Sequence, residues 1–409
     1  MFAFVFSLLI CSFLVALYKR EKEINKRKLL FRVLTNVALS FFLLSGLFYM
    51  LPPVVSDKGI LVISLLSFGL FQWTWHVICI SVWTSSHGSK RILILGAGKK
   101  ASLLGHLIKS GNKKYELIGY VGSHSEPTVV PKDSKLCNCD GFIELIKKVK
   151  PHILVVSFSE RRGVVPFQEI LTAKLSGIKV YDAPSFYELM TGKLLIEHIN
   201  PSWLIFCDGF KNTIFTKVCK IFSDRLIAFL GLVLSSPVLL FVALIIKLES
   251  PGPVIFSQTR VGRQGRLFTI YKLRTMVQDA EKESGPQWAK KNDPRITNFG
   301  AFLRKIRLDE FPQLYNVLKG DLSIVGPRPE RPKFVKELKK IIPYYSKRHF
   351  ANPGITGWAQ INYPYGDSVE DAVEKLRYDL YYMKHVSIWL DLYIIFQTFN
   401  VMVFRKGAR

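Results

Sequence analysis

The chain has 409 residues, enough for two or three folded units, and carries 57 Lys plus Arg against 31 Asp plus Glu, a net charge of +26 at pH 7. That excess calls for a polyanionic partner: nucleic acid, an anionic bilayer surface or phosphorylated substrates. With 49% apolar and 13% aromatic residues the sequence is not a disordered basic tail, and its long uncharged runs tip the balance toward membrane.

Three apolar runs open the chain, Met1 to Tyr18, Val33 to Leu51 and Ile60 to Trp83, each near the roughly 20 residues that cross a bilayer as a helix. The first has neither a basic start nor a small-residue cleavage site, so it reads as a retained helix and not a signal peptide. Lys19, Arg20, Lys22, Lys26, Arg27, Lys28 and Arg32 fall around the first junction, whereas PPVVSDKG joins the second and third runs with one lysine. The positive-inside rule then puts the basic loop and everything after Trp83 in the cytoplasm and the N-terminus outside. A transmembrane segment over residues 1–85 is expected.

From Lys90 the pattern becomes strand, glycine turn, helix, in RILILGAGKKASLLGHLIKS, followed by YELIGYVG, HILVVSF and GIKVYDA with spacers such as GFIELIKKVK. This alternation predicts a Rossmann-like α/β domain with a parallel sheet over residues 90–205. Gly96, Gly98 and Ala101 make a GxGxxA turn able to hold a phosphate on backbone amides. A dinucleotide domain usually adds an acid about 20 positions later, yet Gly119 to Ser123 contains none. Nucleotide binding and a scaffold or regulatory role both stay open. The six cysteines, at 11, 79, 137, 139, 207 and 219, form no disulfide framework, and Cys137-Asn138-Cys139 reads as free thiols in a loop.

The next apolar run, Leu226 to Leu248, is long enough to span but carries Ser235, Ser236 and Pro237 at its centre. Proline removes a backbone donor and kinks a helix, and serine hydroxyls can satisfy the freed carbonyls. Lys217, Lys220 and Arg225 before the run and Lys247, Arg260 and Arg263 after it favour a helix that breaks at Ser236-Pro237 and returns to the same side.

Downstream come VIFSQTRVGRQGRLFTIYKLRTM, with cations Arg260, Arg263, Arg266, Lys272 and Arg274, then DPRITNFGAFLRKIRLDEFPQLYNVLKGDLSIVGPRPERP and NPGITGWAQIN. Taken in order, these motifs resemble the bacterial sugar transferase family, the monotopic polyprenyl-phosphate hexose-1-phosphate transferases that begin exopolysaccharide and O-antigen assembly. The resemblance runs from about Lys217 to Arg409. The preceding helices and Rossmann-like domain resemble the long form, whose members commonly show four or more N-terminal helices against the three counted here. The fold class implied is an α/β membrane protein with N-terminal transmembrane helices, a Rossmann-like domain and an α-rich catalytic domain, residues 217–409, anchored by a re-entrant helix over 226–248.

What the resemblance implies for chemistry falls on Asp309 and Glu310 of the LDE. Asp309 would attack the sugar-bearing phosphorus of a UDP-sugar, releasing UMP, and undecaprenyl phosphate would then take the phosphosugar from the carboxylate, a route suited to a reactive acyl phosphate. A diphosphate repels a carboxylate, so cations must precede the attack. The family uses Mg2+, for which Glu310 is the expected ligand with Asp309 sharing it. Arg304, expected on the same helix as Asp309, and Arg328, stiffened between Pro327 and Pro329, are expected to bind phosphate, as are Lys272, Arg274 and Arg295 at matching positions. Asp293 is expected to be structural or metal-linked. Trp358 and Gln360 read either as a nucleotide or membrane edge or as a packed loop. The tail SIWLDLYIIFQTFNVMVFRKGAR reads as an interfacial helix with Arg405, Lys406 and Arg409 on headgroups, or as a core helix.

Two other classes compete. A membrane-bound nucleotide-sugar oxidoreductase would use the GxGxxA turn with Tyr315 and Lys319 as a YxxxK pair, and a non-enzymatic polysaccharide-assembly scaffold would use the charge alone. The expected partners are UDP-sugar, undecaprenyl phosphate and membrane lipid, without nucleic acid, since no nucleic-acid fold gathers the cations. A homo-oligomer is left open. The expected place is the bacterial inner membrane, with the catalytic domain on its cytoplasmic face.

Overall fold

The computed structural model describes residues 2–15, 17, 26–50, 58–86, 89–111, 114–122, 127–138, 142–158, 166–198, 201–210, 213–277, 293–364, 366 and 368–404. Lys19, Arg20, Lys22, Pro52 to Asp57, Ser123, Cys139, Arg405, Lys406 and Arg409 lie outside the described residues. The chain divides into two compact units, Met1–Thr191 and Gly192–Arg409.

The first unit begins with α1 (Phe2–Leu14), α2 (Lys26–Met50) and α3 (Lys58–Ser86). Apolar residues surround these helices, and burial sorts them. Leu8, Leu44, Leu61 and Leu65 pack together inside, while Phe31, Phe42, Ile63 and Leu70 point outward. An outward apolar face is what lipid requires. At the centre, Asn36 Nδ2 donates to Ser12 Oγ and Gln72 Oε1, each at 2.9 Å, and Gln72 Nε2 donates to Ser12 Oγ at 2.9 Å. Such interhelical bonds satisfy polar groups where no water is at hand. Leu29–Gly46 and Gly59–Cys79 are long and apolar enough to cross a membrane. α1 ends at Leu14, and just beyond it the Leu17 amide reaches back five residues to the Ser12 carbonyl; Met1, Ala16 and Tyr18 of the apolar run lie outside the described residues.

The rest of this unit is β1 (Lys90–Leu95), α4 (Lys99–Ser110), β2 (Tyr115–Gly122), β3 (Lys135–Asn138), α5 (Phe142–Val149), β4 (Ile153–Val156), α6 (Phe167–Leu175), β5 (Lys179–Asp182) and α7 (Ala183–Thr191). The sheet is parallel in the order β3-β2-β1-β4-β5, as the alternation predicted. Ile92 to Leu95 are fully buried, the continuous apolar pattern of a strand covered on both faces. Gly96 has φ +117, and a Cβ there would meet Ser157 Oγ at 2.6 Å, so the turn after β1 admits glycine alone.

The second unit holds α8 (Pro201–Phe206), α9 (Ile214–Glu249), β6 (Ile255–Val261), β7 (Leu267–Leu273), α10 (Asn298–Ile306), α11 (Gln313–Lys319), β8 (Ser323–Val325), α12 (Pro332–Ile341), β9 (Gly354–Thr356), α13 (Trp358–Asn362), α14 (Val369–Lys384) and α15 (Ile388–Phe404). β6 and β7 form an antiparallel hairpin, and β8 and β9 a short parallel pair. Residues 192–205, read from sequence with the Rossmann-like domain, belong here: Leu194 and Ile196 join the core of Val317, Val325, Leu376 and Ile394, and the Leu194 amide donates to Arg377 O at 3.1 Å. On α15, Ile394 is buried while Trp389 is 82% exposed, so the helix has one packed and one open side.

α9 corrects the expected break. It is a continuous helix of 36 residues with Pro237 inside it, starting 12 residues before Leu226. Pro237 has no amide to offer the Val233 carbonyl, and Ser236 Oγ donates to that carbonyl instead, at 2.8 Å. The helical ladder therefore continues across Ser236-Pro237.

Candidate active site

α10 starts at Thr297, whose hydroxyl accepts from the Gly300 amide, and stops at Arg307, which takes the left-handed conformation with φ +58. That conformation costs a non-glycine residue about 1–2 kcal/mol and persists only where the surroundings impose it. Its result is that Asp309 and Glu310 sit on a separate 3-10 turn, Leu308–Glu310. The expectation that Arg304 and Asp309 share one helix is corrected here: the left-handed residue re-aims the chain between them.

The two carboxylates have opposite environments. Glu310 Oε1 accepts from Lys272 Nζ at 2.9 Å and from Arg328 Nη2 at 2.6 Å. Asp309 is 8% exposed, and its carboxylate accepts no hydrogen bond and makes no ion pair among the described residues. Burial pushes the Asp309 carboxyl above the usual range and the neighbouring Glu310 charge pushes it further, against Lys272, Arg304 and Arg328. Burial also pushes on Glu310, but Arg328 and Lys272 together hold it well below the usual carboxylate range. The site thus combines a fixed anion with an unpartnered carboxyl of raised proton affinity.

The predicted cations separate into two groups. Lys272, Arg304 and Arg328 all act on Asp309, and Arg304 is aimed by a bond from its Nε to Thr275 Oγ1 at 2.8 Å. Burial pushes the Lys272 amine down, opposed by Glu310. Arg274 is not part of this group. Its guanidinium donates to the carbonyls of Pro251 and Ser250, each at 2.7 Å, to Ser250 Oγ at 3.0 Å and to Ile246 O at 3.3 Å. Those carbonyls lie in the last turn of α9 and just after it, so the expected phosphate ligand is a helix C-terminal clamp. Arg295 is paired twice with Asp293, Nε to Oδ1 at 2.8 Å and Nη2 to Oδ2 at 2.6 Å. That pairing brings Asp293 down to about 2.

The fit of Mg2+ rests on the oxygens left over. Both cations use Oε1 of Glu310, leaving its Oε2 and both Asp309 oxygens without a hydrogen bond among the described residues, on one turn. Among the described residues no group of three or more His, Cys, Asp or Glu could hold a metal. One or two carboxylates completed by phosphate and water oxygens is the usual magnesium arrangement, and this donor set fits it.

Other singled-out residues are structural. Trp358 Nε1 donates to Gly192 O at 2.8 Å and its ring stacks on Tyr381 at 5.6 Å, while Gln360 Nε2 donates to Ile355 O, which favours the packed reading, although both residues lie on α13 and not in a loop. Tyr315 is exposed and Lys319 pairs with Asp321 at 3.2 Å, in a different compact unit from the GxGxxA turn. In the sequence Lys220 served only as a topology signal and Asp391 only as the lone acid of the tail, and Asp224 was passed over. Lys220 Nζ reaches Asp391 Oδ2 at 2.7 Å, and Ser323 Oγ donates to Asp224 Oδ2 at 2.6 Å, fixing α9 to β8 and α15. A lone acid in an otherwise apolar helix, Asp391, was the available signal. Sequence reasoning also overlooked Arg348 and Asp379, for which the sequence carried none.

Residues 215–405 match the family model for bacterial sugar transferases. Over 394 residues the chain is 30% identical to the undecaprenyl-phosphate glucose phosphotransferase of Komagataeibacter xylinus, covering 88% of this chain and 72% of the relative. It is 43% identical over 235 residues to the UDP-N-acetylgalactosamine-undecaprenyl-phosphate N-acetylgalactosaminephosphotransferase of Aeromonas hydrophila, covering 58% of this chain and 55% of the relative. With the UDP-glucose:undecaprenyl-phosphate glucose-1-phosphate transferase of Escherichia coli the identity is 45% over 184 residues, 44% of this chain and 39% of the relative. The chain thus spans about half or less of the length of these last two relatives.

Proposed function

Since the chain belongs to the bacterial sugar transferase family, we propose that it transfers a hexose 1-phosphate from a UDP-sugar to undecaprenyl phosphate, with Asp309 as nucleophile. The observation that carries this reading is the asymmetry of the pair: Glu310 is held by two cations, whereas Asp309 is buried and unpartnered. An Asp309 oxygen attacks the sugar-bearing phosphorus, and the bond from that phosphorus to the bridging oxygen breaks with UMP as the leaving group. A phosphate oxygen of undecaprenyl phosphate then attacks the same phosphorus, forming the lipid diphosphate sugar and returning the carboxylate.

Arg328 and Lys272 hold Glu310 beside the nucleophile, and with Arg304 they offset the repulsion between Asp309 and an incoming diphosphate. Mg2+, held by Glu310 and Asp309, would neutralise and polarise the diphosphate. The catalytic unit would work at the cytoplasmic face of the inner membrane, where nucleotide sugars are found, with α9 held to that unit near both its ends. Relatives named for glucose and for N-acetylgalactosamine leave the sugar to be decided by experiment.

The test is to incubate the purified protein with Mg2+ and a panel of UDP-sugars without lipid acceptor. A stoichiometric burst of UMP is expected with one sugar and none with Asp309→Asn. A burst retained by that variant would remove Asp309 from the role.

A further inference from the structure

The Arg328 side chain can clamp Glu310 only if its backbone is fixed, and the structure shows how this is done. Four consecutive carbonyls of the turn each have a donor. The Gly354 amide donates to Pro327 O at 2.9 Å, Arg348 Nη2 to Arg328 O at 3.0 Å, Arg260 Nη1 to Pro329 O at 3.1 Å and the Val261 amide to Glu330 O at 3.0 Å. Pro327 and Pro329 fix their own φ, and Pro329 confines the ψ of Arg328 to the extended range, which leaves the peptide plane after Arg328 a residual swing of a few tens of degrees. The carbonyl of that plane is the one Arg348 holds.

Arg348 is itself immobilised. Its Nε and Nη2 donate to Asp379 Oδ2 at 3.1 and 2.8 Å, and its Nη1 donates to Tyr345 Oη at 2.9 Å. Arg348 is 6% exposed and Asp379 2%. A buried ion pair is a poor source of stability, since apolar residues of similar size often do as well or better. Its distinctive output here is the remaining guanidinium hydrogen bond, which is aimed at the turn.

We propose that Arg348 and Asp379 are positioning residues for the proposed transfer: they lock the peptide plane after Arg328, so that its guanidinium meets Glu310 in an already ordered geometry. Only the kinetic arm of the test rests on the function proposed above. Arg348→Lys keeps a charge opposite Asp379 but cannot reach Asp379, Tyr345 and the Arg328 carbonyl together. The double variant Arg348→Met/Asp379→Leu removes both charges at once and serves where the first does not fold.

In a structure of whichever variant folds, the 2.6 Å contact between Arg328 and Glu310 is expected to open. In UMP release, kcat is expected to fall about tenfold to a hundredfold with little change in KM, the scale set by misplacement of a positioned group. The same substitution in an Arg328→Ala background is expected to cost nothing further. An unchanged contact, losses that multiply, or failure of both variants to fold would each overturn the proposal. A wild-type protein that releases no UMP from any UDP-sugar would instead refute the catalytic reading, and the variant structure would still decide the positioning role.

Discussion

At the residue scale, two adjacent carboxylates differ in what the fold provides for their charge, and the difference has a thermal sign. Glu310→Gln strips the counter-charge from Lys272 and Arg328 and is expected to destabilise the protein by about 1–3 kcal/mol, the cost of leaving buried charged donors poorly satisfied. Asp309→Asn removes a charge that burial disfavours and that no cation pairs directly, so it is expected to melt no lower than wild type while losing the UMP burst. Calorimetry on both variants decides, and a lower melting point for Asp309→Asn than for Glu310→Gln would contradict the electrostatics.

The pH dependence follows from the same asymmetry. The nucleophile must be ionised, and in the metal-free protein burial and the Glu310 charge raise its proton affinity, so its carboxyl should take up a proton at a pH above the ordinary aspartate value of about 3.9. Glu310 remains charged throughout that range. A carbon-13 carboxyl titration of metal-free protein, shown to stay folded, should place the Asp309 midpoint above that value. A midpoint at or below it would contradict the electrostatics argued for the pair. Asp309, Glu310 and Arg328 drew attention because opposite charges and a proline-flanked arginine occur together in one stretch, whereas Lys272, in YKLRTM, was singled out by the family resemblance alone. The role of Arg274 was not legible, because it is set by the carbonyls of Ile246 and Ser250, which only folding brings to it.

At the scale of elements, α9 was readable as an apolar helix and its continuity through Pro237 was not. A proline in sequence shows a missing donor; whether the ladder breaks depends on whether another group takes the orphaned carbonyl, and Ser236 does so here. Both ends of α9 are tied to one unit, by Lys220 and Asp224 near its start and by Arg274 at its end. If straight, 36 residues would measure about 54 Å, against roughly 30 Å of hydrocarbon. A helix whose ends both grip one polar unit is better accommodated at one face than across the bilayer. Cysteines replacing the exposed Lys217 and Arg263 are therefore expected to react with an impermeant thiol reagent from the same side of sealed vesicles. Labelling from opposite sides would make α9 a spanning helix.

At the scale of the whole molecule, the parallel sheet was legible because short apolar runs alternate with helical spacers and the first ends in a glycine turn. The boundary near residue 192 was not: segment 192–205 is as apolar as its surroundings, and only the packing of Leu194, Ile196 and Trp203 assigns it to the second unit. That assignment has a functional consequence. Asp309, Glu310, Lys272, Arg304 and Arg328, together with Arg348 and Asp379 behind them, all belong to Gly192–Arg409, which has its own apolar cores around Val325 and around Leu303. Every residue assigned to the proposed transfer therefore lies in the second unit. A fragment of residues 192–409, purified in detergent, is expected to fold cooperatively and to give the same UMP burst per molecule as the full chain. If the fragment folds but the burst is lost, the first unit must supply part of the site, and the division of labour argued here would be wrong.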